Sequence, residues 1–380
     1  MSDIGPPRIL VVDDKPEEQR AVFRLAEDSA SKYEIVHPEE LDEDMLEEAD
    51  LVLVDYDITS WAARSGTAQI GLRPENGIAL AAVLREHANK LARPTGFAIH
   101  TGQEGQFSVT PAEPRAHFLA RSHNLEWVFV KGKPAIIGRQ AGSLAEAIRK
   151  LPEQWPVDRV GIEREVRELL GLPRSDEAPD AAPWVPAAMR DIAQCRPPLS
   201  EMVERSHGLL FVRWILHRIL PYPCFLFDTH HLAVRLRVTH ASLDAALLGK
   251  LSSWLEPAAY RGVLDSFLGP RWWRAGVESL IWDLGEGSMS AKRLHAALNA
   301  AGIPLEPLSI PDPVVCIDEN YAFLDEARAG KEVVRVVPDD WPLYAGQAWT
   351  TVTLAREKPT LNALVAEIDM ERLEKSKPGE

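Results

Sequence analysis

Short apolar runs alternate with segments of helical periodicity along the first 150 residues. Between the runs, apolar residues recur three or four positions apart, which is typical of helices packed on one face. Apolar strands that alternate with helices predict a parallel sheet covered on both faces. We therefore expect an α/β fold with a five-stranded, doubly wound parallel sheet in residues 1–150. The predicted strands are RILVVDD (8–14), YEIVHP (33–38), DLVLVDYDI (50–58), TGFAIHTG (95–102) and EWVFVKG (126–132).

The pattern changes after residue 150. Residues 151–186 predict a helix and then a linker, because the second half of this stretch combines Pro, Ala and acids without an apolar period. From 187 to 305 the spacing of Leu, Trp and Arg predicts a mainly α-helical domain, in which residues 201–220 form one long helix. Residues 306–380 contain short strand-like runs separated by Pro and Asp, so we expect a small mixed α/β or β tail.

Composition narrows the class of protein. The chain has 380 residues, of which 46% are hydrophobic and 26% charged, and no apolar run approaches the roughly 20 residues that span a membrane. No signal peptide is evident at the N-terminus, and the three cysteines form neither a disulfide framework nor a metal motif. We therefore expect a cytoplasmic protein without membrane contact. A net charge of −15 disfavours a broad nucleic-acid footprint, although residues 186–300 alone carry +3.

Acidic residues follow two of the predicted strands. Asp13 and Asp14 end the first apolar run, and Asp55 ends the third. If the sheet is wound sequentially these strands are neighbours, so their carboxyl ends place the three acids in one cluster. Packed carboxylates repel one another unless a cation neutralises them, and oxygen-only ligands around an open pocket suit Mg²⁺.

Two further side chains leave the sheet at the same edge. Thr101 ends the fourth strand and offers a hydroxyl donor, while Lys131 ends the fifth strand and offers a compact positive charge. A metal-binding acid cluster, a carboxylate nucleophile, a lysine and a hydroxyl are together the parts needed for phosphoryl transfer onto a carboxylate.

Five sequence blocks resemble the signature blocks of response-regulator receiver domains, in the family's order. The resemblance covers roughly residues 7–150 and implies a flavodoxin-like or receiver-like sheet. It also implies that Asp55 accepts the phosphoryl group, that Asp14 ligates Mg²⁺ directly with Asp13 acting through water, and that the Asp57 backbone carbonyl completes the metal shell. Thr101 would be the switch hydroxyl and Lys131 the phosphate-binding lysine. The blocks are VVDDKPEEQR, DLVLVDYD, ENGIALAAVLRE, FAIHTG and WVFVKGKP.

This resemblance implies a phosphoprotein of the two-component, phosphorelay type. A histidine kinase or histidine-kinase-like ATPase is the expected partner, and a homodimer is compatible with the pattern. Residues 187–380 contain no nucleophile–base motif, P-loop or metal box. We therefore expect no dedicated enzyme activity beyond self-phosphorylation and autodephosphorylation at Asp55.

The chain departs from the family pattern in three places. The segment at 59–74 is longer than the usual loop, and we expect it to cover or gate the site. The fifth block reads Lys-Gly-Lys-Pro, so Lys133 is an alternative to Lys131 as the phosphate ligand. The aromatic switch residue is missing from its usual place, where Val128 stands. These departures leave the metal and acceptor residues intact but put the usual output mechanism in question.

The output of the C-terminal region stays open between two classes. Residues 229–251 have a faint helix-turn-helix pattern, which would make residues 186–300 a DNA-binding transcriptional regulator. The alternative, which the acidic chain favours, is relay by protein–protein interaction, and a pseudo-receiver scaffold that is not phosphorylated in the cell is a further variant. The histidines of this region (His207, His217, His230, His231 and His240) fit no metal-ligand spacing, so we interpret them as surface or core residues.

Overall fold

The computed structural model describes residues 5–24, 31–58, 74, 76–91, 93–102, 112–152, 154–173, 182–205 and 208–375. The chain divides into two compact units. The first contains Met1–Gly171, Pro197–Pro221 and Gly262–Leu268, and the second contains Leu172–Arg196, Tyr222–Arg261 and Gly269–Glu380. The sequence analysis divided the chain into consecutive segments, whereas these units are interleaved along it. Residues 174–181 of the predicted linker lie outside the described residues.

The first unit is built on a five-stranded, all-parallel sheet with the strand order β2-β1-β3-β4-β5. The predicted parallel α/β sheet is therefore confirmed. Its central strands are rich in Val, Leu and Ile and almost completely buried, which explains why they read as continuous apolar runs. The strands are β1 (Arg8–Val12), β2 (Lys32–Val36), β3 (Leu51–Asp55), β4 (Gly96–Thr101) and β5 (Trp127–Val130).

Helices flank this sheet. Several begin at a side-chain cap: Asn76 accepts a hydrogen bond from the Ala79 amide, and Asp158 accepts one from the Gly161 amide. The helices are α1 (Pro16–Arg24), α2 (Glu43–Glu48), α3 (Gly77–Ala88), α4 (Ala112–Ser122, kinked at Arg115), α5 (Pro134–Arg149) and α6 (Arg159–Leu169).

The long helix predicted at 201–220 is wrong. After α7 (Val185–Gln194), the chain forms α8 (Leu199–Arg205) and then α9 (Leu209–Trp214), which continues as a π-helical turn to Ile219. Gly208 precedes α9 in a left-handed conformation with φ of 86°, and a Cβ there would lie 2.6 Å from the Trp155 indole nitrogen. The apolar periodicity therefore continues across a break that only glycine accommodates.

Two later stretches of chain pack on strand β5 within the first unit. Arg213 Nη2 lies 2.6 Å from the fully buried Glu126 carboxylate, and the His217 ring bonds the Glu126 carbonyl at 2.8 Å. Phe267 stands edge-on to Trp127, with ring centroids 4.8 Å apart. These contacts explain why residues 197–221 and 262–268 belong to the sheet unit.

The second unit has a helical body and a small α/β tail. The buried Trp272 and Trp273 form β7. None of the helices that the structure describes is long and apolar enough to cross a membrane. The elements are β6 (Leu226–Phe227), α10 (Thr229–Leu236), α11 (His240–Leu247), α12 (Lys250–Leu255), β7 (Trp272–Trp273), α13 (Arg274–Leu284), α14 (Ala291–Ala300), β8 (Pro313–Val314), β9 (Arg328–Ala329), β10 (Val333–Val336), β11 (Ala348–Thr351), α15 (Val352–Glu357), α16 (Pro359–Asn362) and α17 (Glu367–Lys375).

Candidate functional site

Three buried carboxylates meet at the carboxyl edge of the sheet. Strands β1 and β3 are neighbours, with Val12 paired to Val54, so the residues that follow each strand emerge side by side. Asp13, Asp14 and Asp55 are 1%, 8% and 6% exposed, and one oxygen of each lies within 4.8 Å of the others. The convergence expected from the strand order is therefore present in the structure.

A single lysine bridges two of these acids. Lys131 Nζ lies 2.9 Å from Asp55 Oδ1 and 3.4 Å from Asp13 Oδ2, and its backbone amide donates to the Thr101 carbonyl at 2.7 Å. Lys133, the alternative from the sequence, occupies the N-cap of α5, and its side chain is exposed. The structure thus brings Lys131 to the acid cluster.

The electrostatics of the cluster are those of an incompletely neutralised site. Burial and, second, the negative charge of Asp13 raise the pKa of Asp55 to about 6, although the contact with Lys131 opposes the shift. Burial by itself would lower the pKa of Lys131, but the contacts with Asp55 and Asp13 raise it, so the ammonium stays charged. In the described part of the chain, one ammonium contacts two of these three buried carboxylates.

The donor set fits a small, hard divalent cation. The ligands offered by Asp13, Asp14 and Asp55 are all oxygens, as Mg²⁺ prefers. Asp57 follows β3 at the same edge, and a bridge to Asn76 holds its backbone beside the cluster. A divalent cation held by these oxygens would relieve the mutual repulsion that Lys131 leaves uncompensated.

Thr101 lies close to Asp55, on the neighbouring strand. Asp55 pairs with His100 in the β3–β4 register, so Thr101 stands one residue beyond Asp55 at the same edge. Its side chain is fully buried. We expected the segment at 59–74 to cover or gate this site, and its residues 59–73 lie outside the described residues.

His100 is a buried polar residue that the sequence analysis did not single out. It is 1% exposed, and neither ring nitrogen has a hydrogen-bond partner in the described part of the chain. Burial, and then the charge of Lys131, lowers its pKa to about 3, so the ring is neutral at physiological pH. Strand alternation places it on the opposite face from Thr101. It packs beside Phe23, with ring centroids 5.5 Å apart, and contributes no charge to the acid cluster.

Gly77 allows the backbone to pass close to Asp55. A Cβ at this position would lie 1.9 Å from the Asp55 carbonyl oxygen, and the Gly77 amide donates to the Tyr56 carbonyl at 2.9 Å. Any side chain here would push α3 away from the strand that presents Asp55. A glycine is therefore needed because of this close approach of two backbones.

Replacing Gly77 with Ala should lower the free energy of unfolding by at least about 2 kcal/mol, because the new methyl group meets backbone rather than a movable side chain. Helix propensity alone would predict the opposite sign. Gly102→Ala is the matched control, since its Cβ would make an ordinary 3.5 Å contact with Lys131 Cδ. Urea unfolding of both variants checks this. A Gly77→Ala protein as stable as Gly102→Ala would contradict the observed packing.

Two short helices joined by a turn lie where the sequence has a faint helix-turn-helix pattern. Helices α10 and α11 are joined through Arg237, which adopts a left-handed conformation with φ of 59°. Helix α11 has the sequence HASLDAAL and contains no Lys or Arg, and Asp244 is exposed on it. A helix without Lys or Arg offers no positive charge to phosphates, so α11 itself contributes nothing to electrostatic DNA binding.

The chain was also compared with known proteins. No protein-family model matches it, and no curated protein matches its sequence at a significant level.

Proposed function

We propose that residues 7–150 form a phospho-accepting receiver domain, in which Asp55 takes a phosphoryl group in the presence of Mg²⁺. The observation that carries the proposal is the contact of Lys131 with Asp55 and Asp13 inside a buried three-carboxylate cluster. A structural ion pair would need one acid for one lysine, whereas this site keeps two further carboxylates beside the pair. Such an excess of charge suits a site that binds a cation together with a phosphoryl group.

The residues divide the chemistry among them. Asp55 is mostly ionised at neutral pH with a pKa of about 6, so one oxygen attacks the phosphorus of a phosphohistidine. The phosphorus–oxygen bond to Asp55 forms as the phosphorus–nitrogen bond breaks, and the leaving imidazole keeps the electron pair and takes a proton from water. Lys131 then pairs with a phosphoryl oxygen, and the Thr101 hydroxyl donates to another. Mg²⁺ held by Asp13, Asp14, Asp55 and the Asp57 carbonyl would supply charge neutralisation.

The expected partner is a histidine kinase or histidine-kinase-like ATPase in the cytoplasm. We further propose that the phosphorylated state is relayed by protein–protein contacts through the C-terminal region. The supporting observation is that residues 197–221 and 262–268 pack on β5, the strand that ends at Lys131, and are directly continued by chain of the second unit. A shift of Lys131 toward a phosphoryl group would act on the strand that these segments contact.

A DNA-binding output is the weaker candidate. The turn at Arg237 supports it, but the absence of basic residues from α11 counts against it. A gel-shift experiment at low salt separates the two, because electrostatic DNA binding is strongest there. Retarded DNA would favour a transcriptional regulator. DNA that stays unbound at every protein concentration would favour relay through protein–protein contacts.

Beryllofluoride, which mimics a phosphoryl group on a carboxylate, tests the proposed function on the full chain. We expect beryllofluoride with Mg²⁺ to raise the unfolding temperature, and we expect chelation of Mg²⁺ to remove that shift. Asp55→Asn should not respond. The proposal fails if the wild-type protein does not respond, or if Asp55→Asn responds equally.

The pH dependence of Mg²⁺ binding follows from Asp55. Protons compete with the cation below a pKa of about 6, so Mg²⁺ affinity should rise steeply from pH 5 to pH 7 and level off above.

Without Mg²⁺, the free energy of unfolding should change with pH in the opposite direction, because the pKa of Asp55 in the folded protein exceeds the unfolded value of 3.8. The free energy of unfolding should therefore fall by up to about 3 kcal/mol as the pH rises from about 4 to 6. Comparing wild type with Asp55→Asn by urea unfolding isolates this contribution from other carboxylates; equal pH slopes would contradict it.

A further inference from the structure

A second group of potential metal ligands lies in the second unit, far along the sequence from the acid cluster. It consists of His230 on α10, His240 at the start of α11, and Asp325 in the segment between β8 and β9. One ligand atom from each lies within 4.8 Å of the others, and His230 Nε2 is 3.8 Å from Asp325 Oδ1. Two imidazoles and one carboxylate are a donor set that first-row transition metals favour.

The turn between α10 and α11 brings the two imidazoles together. Asp228 caps α10 and Thr239 caps α11, so both histidines stand in the first turn of their helices. The left-handed Arg237 reverses the chain between them. The rings are stacked, with an interplanar angle of 15° and centroids 4.2 Å apart, so one ring must rotate about its side-chain bonds before both can direct a lone pair at the same ion.

The two rings differ in their contacts: one nitrogen of His230 has no hydrogen-bond partner among the described residues, whereas both nitrogens of His240 have a polar neighbour. His230 Nε2 is inaccessible to solvent and has no hydrogen-bond partner within the described residues, which is costly for a buried polar atom. The other nitrogen of the same ring lies 3.8 Å from the Asp228 carboxylate. His240 Nδ1 lies 3.5 Å from Asp244, while its Nε2 is 3.0 Å from the Thr229 hydroxyl. A carboxylate beside the far nitrogen is the arrangement that orients a metal-ligating histidine.

The surroundings favour a cation with an open coordination position. His230, His240 and Asp325 line a cavity of about 670 Å³. Three further acids line the same cavity, against a single basic residue, Arg328; these acids are Asp244, Glu306 and Glu326. An excess of carboxylates in a concave site attracts divalent cations, and the cavity leaves room for a fourth ligand.

We propose that His230, His240 and Asp325 bind a divalent transition metal, with Zn²⁺ the best match to the donor set. Three protein ligands fill three positions of a tetrahedral site, which leaves the fourth to water or to an oxygen of a small anionic ligand in the cavity. The proposal does not depend on the function of the receiver domain, because it rests on different residues in a different unit.

Co²⁺ and Zn²⁺ titrations of the chelator-stripped full chain test this site, with excess Mg²⁺ present to occupy the acid cluster. We expect one Co²⁺ per chain with the visible absorption of a tetrahedral site, and we expect Zn²⁺ to displace it. His230→Asn should abolish the signal. Asp325→Asn should weaken Zn²⁺ binding at least about tenfold. The Asp325 side chain is 95% exposed, so this variant should fold even if His230→Asn does not.

Glu326→Gln is the matched control, because Glu326 is the neighbouring acid of the same cavity but is not one of the three ligands. It should change the affinity by less than about threefold, since removing a neighbouring charge costs only a fraction of a ligand bond. The proposal is overturned if Co²⁺ gives no tetrahedral spectrum, if Asp325→Asn binds Zn²⁺ as tightly as Glu326→Gln, or if increasing Mg²⁺ removes the signal. The last result would assign the metal to the acid cluster.

Discussion

Replacing Asp55 with Asn should abolish phosphoryl acceptance from acetyl phosphate. The amide is neutral and lacks the nucleophilic oxygen charge, while Lys131 and the remaining acids stay in place. We expect no phosphorylated protein by intact-mass measurement under conditions that fully label the wild type. Asp57→Asn is the matched control, because the proposed role of Asp57 uses its backbone carbonyl. It should still be labelled.

Asp55→Asn should also be more stable than the wild type when Mg²⁺ is absent. Burial and the negative charge of Asp13 both destabilise the ionised form of Asp55, and its pKa is therefore raised. Removing this charge at pH 7.5 should raise the free energy of unfolding by about 1–2 kcal/mol, less than the full pKa shift because Lys131 loses a partner. Labelling of Asp55→Asn at the wild-type level would show that the acceptor assignment is wrong.

Replacing Lys131 with Met should have the second-largest effect. Its ammonium is the cation that contacts both Asp55 and Asp13, so its loss leaves buried carboxylates without compensation. We expect the free energy of unfolding in Mg²⁺-free buffer to fall by about 2–3 kcal/mol, and the rate of labelling by acetyl phosphate to fall about a hundredfold. Mg²⁺ should restore part of the stability, because it supplies the missing positive charge.

Lys133→Met distinguishes the two lysines of the fifth sequence block. Lys133 is exposed at the N-cap of α5, so its loss should change stability by less than about 0.5 kcal/mol and leave labelling almost unchanged. Urea unfolding and labelling time courses on both variants give the comparison. A larger loss of labelling in Lys133→Met than in Lys131→Met would mean that Lys133 binds the phosphate.

The sheet and its acid edge could be predicted because they depend on short-range pattern. Strands β1 and β3 are buried runs of β-branched and aliphatic residues, and in a parallel sheet the residue after each run must emerge at one edge. The positions of Asp13, Asp14 and Asp55 follow from this rule. The choice between Lys131 and Lys133 does not, because both follow the same strand and only the three-dimensional structure shows which side chain reaches the acids.

Other features depend on contacts between residues distant in sequence. Nothing in the local sequence at Gly77 reveals that the Asp55 carbonyl occupies the space of its side chain. The apolar periodicity continues through Gly208, although the helix is interrupted there, where the backbone lies against the Trp155 side chain. His230, His240 and Asp325 share no motif spacing, so their proximity appears only once the helix-turn-helix and the tail have folded. The one signal of this group in the sequence is a pair of histidines at the starts of two adjacent predicted helices.

The central claim is that Asp55 accepts a phosphoryl group with the help of Mg²⁺. The most direct measurement is mass spectrometry of the full chain after incubation with acetyl phosphate, with Mg²⁺ or with a chelator, followed by mapping of the labelled peptide. We predict one phosphoryl group per chain, on Asp55, and only when Mg²⁺ is present. An unlabelled protein, or a label on another residue, would contradict the account.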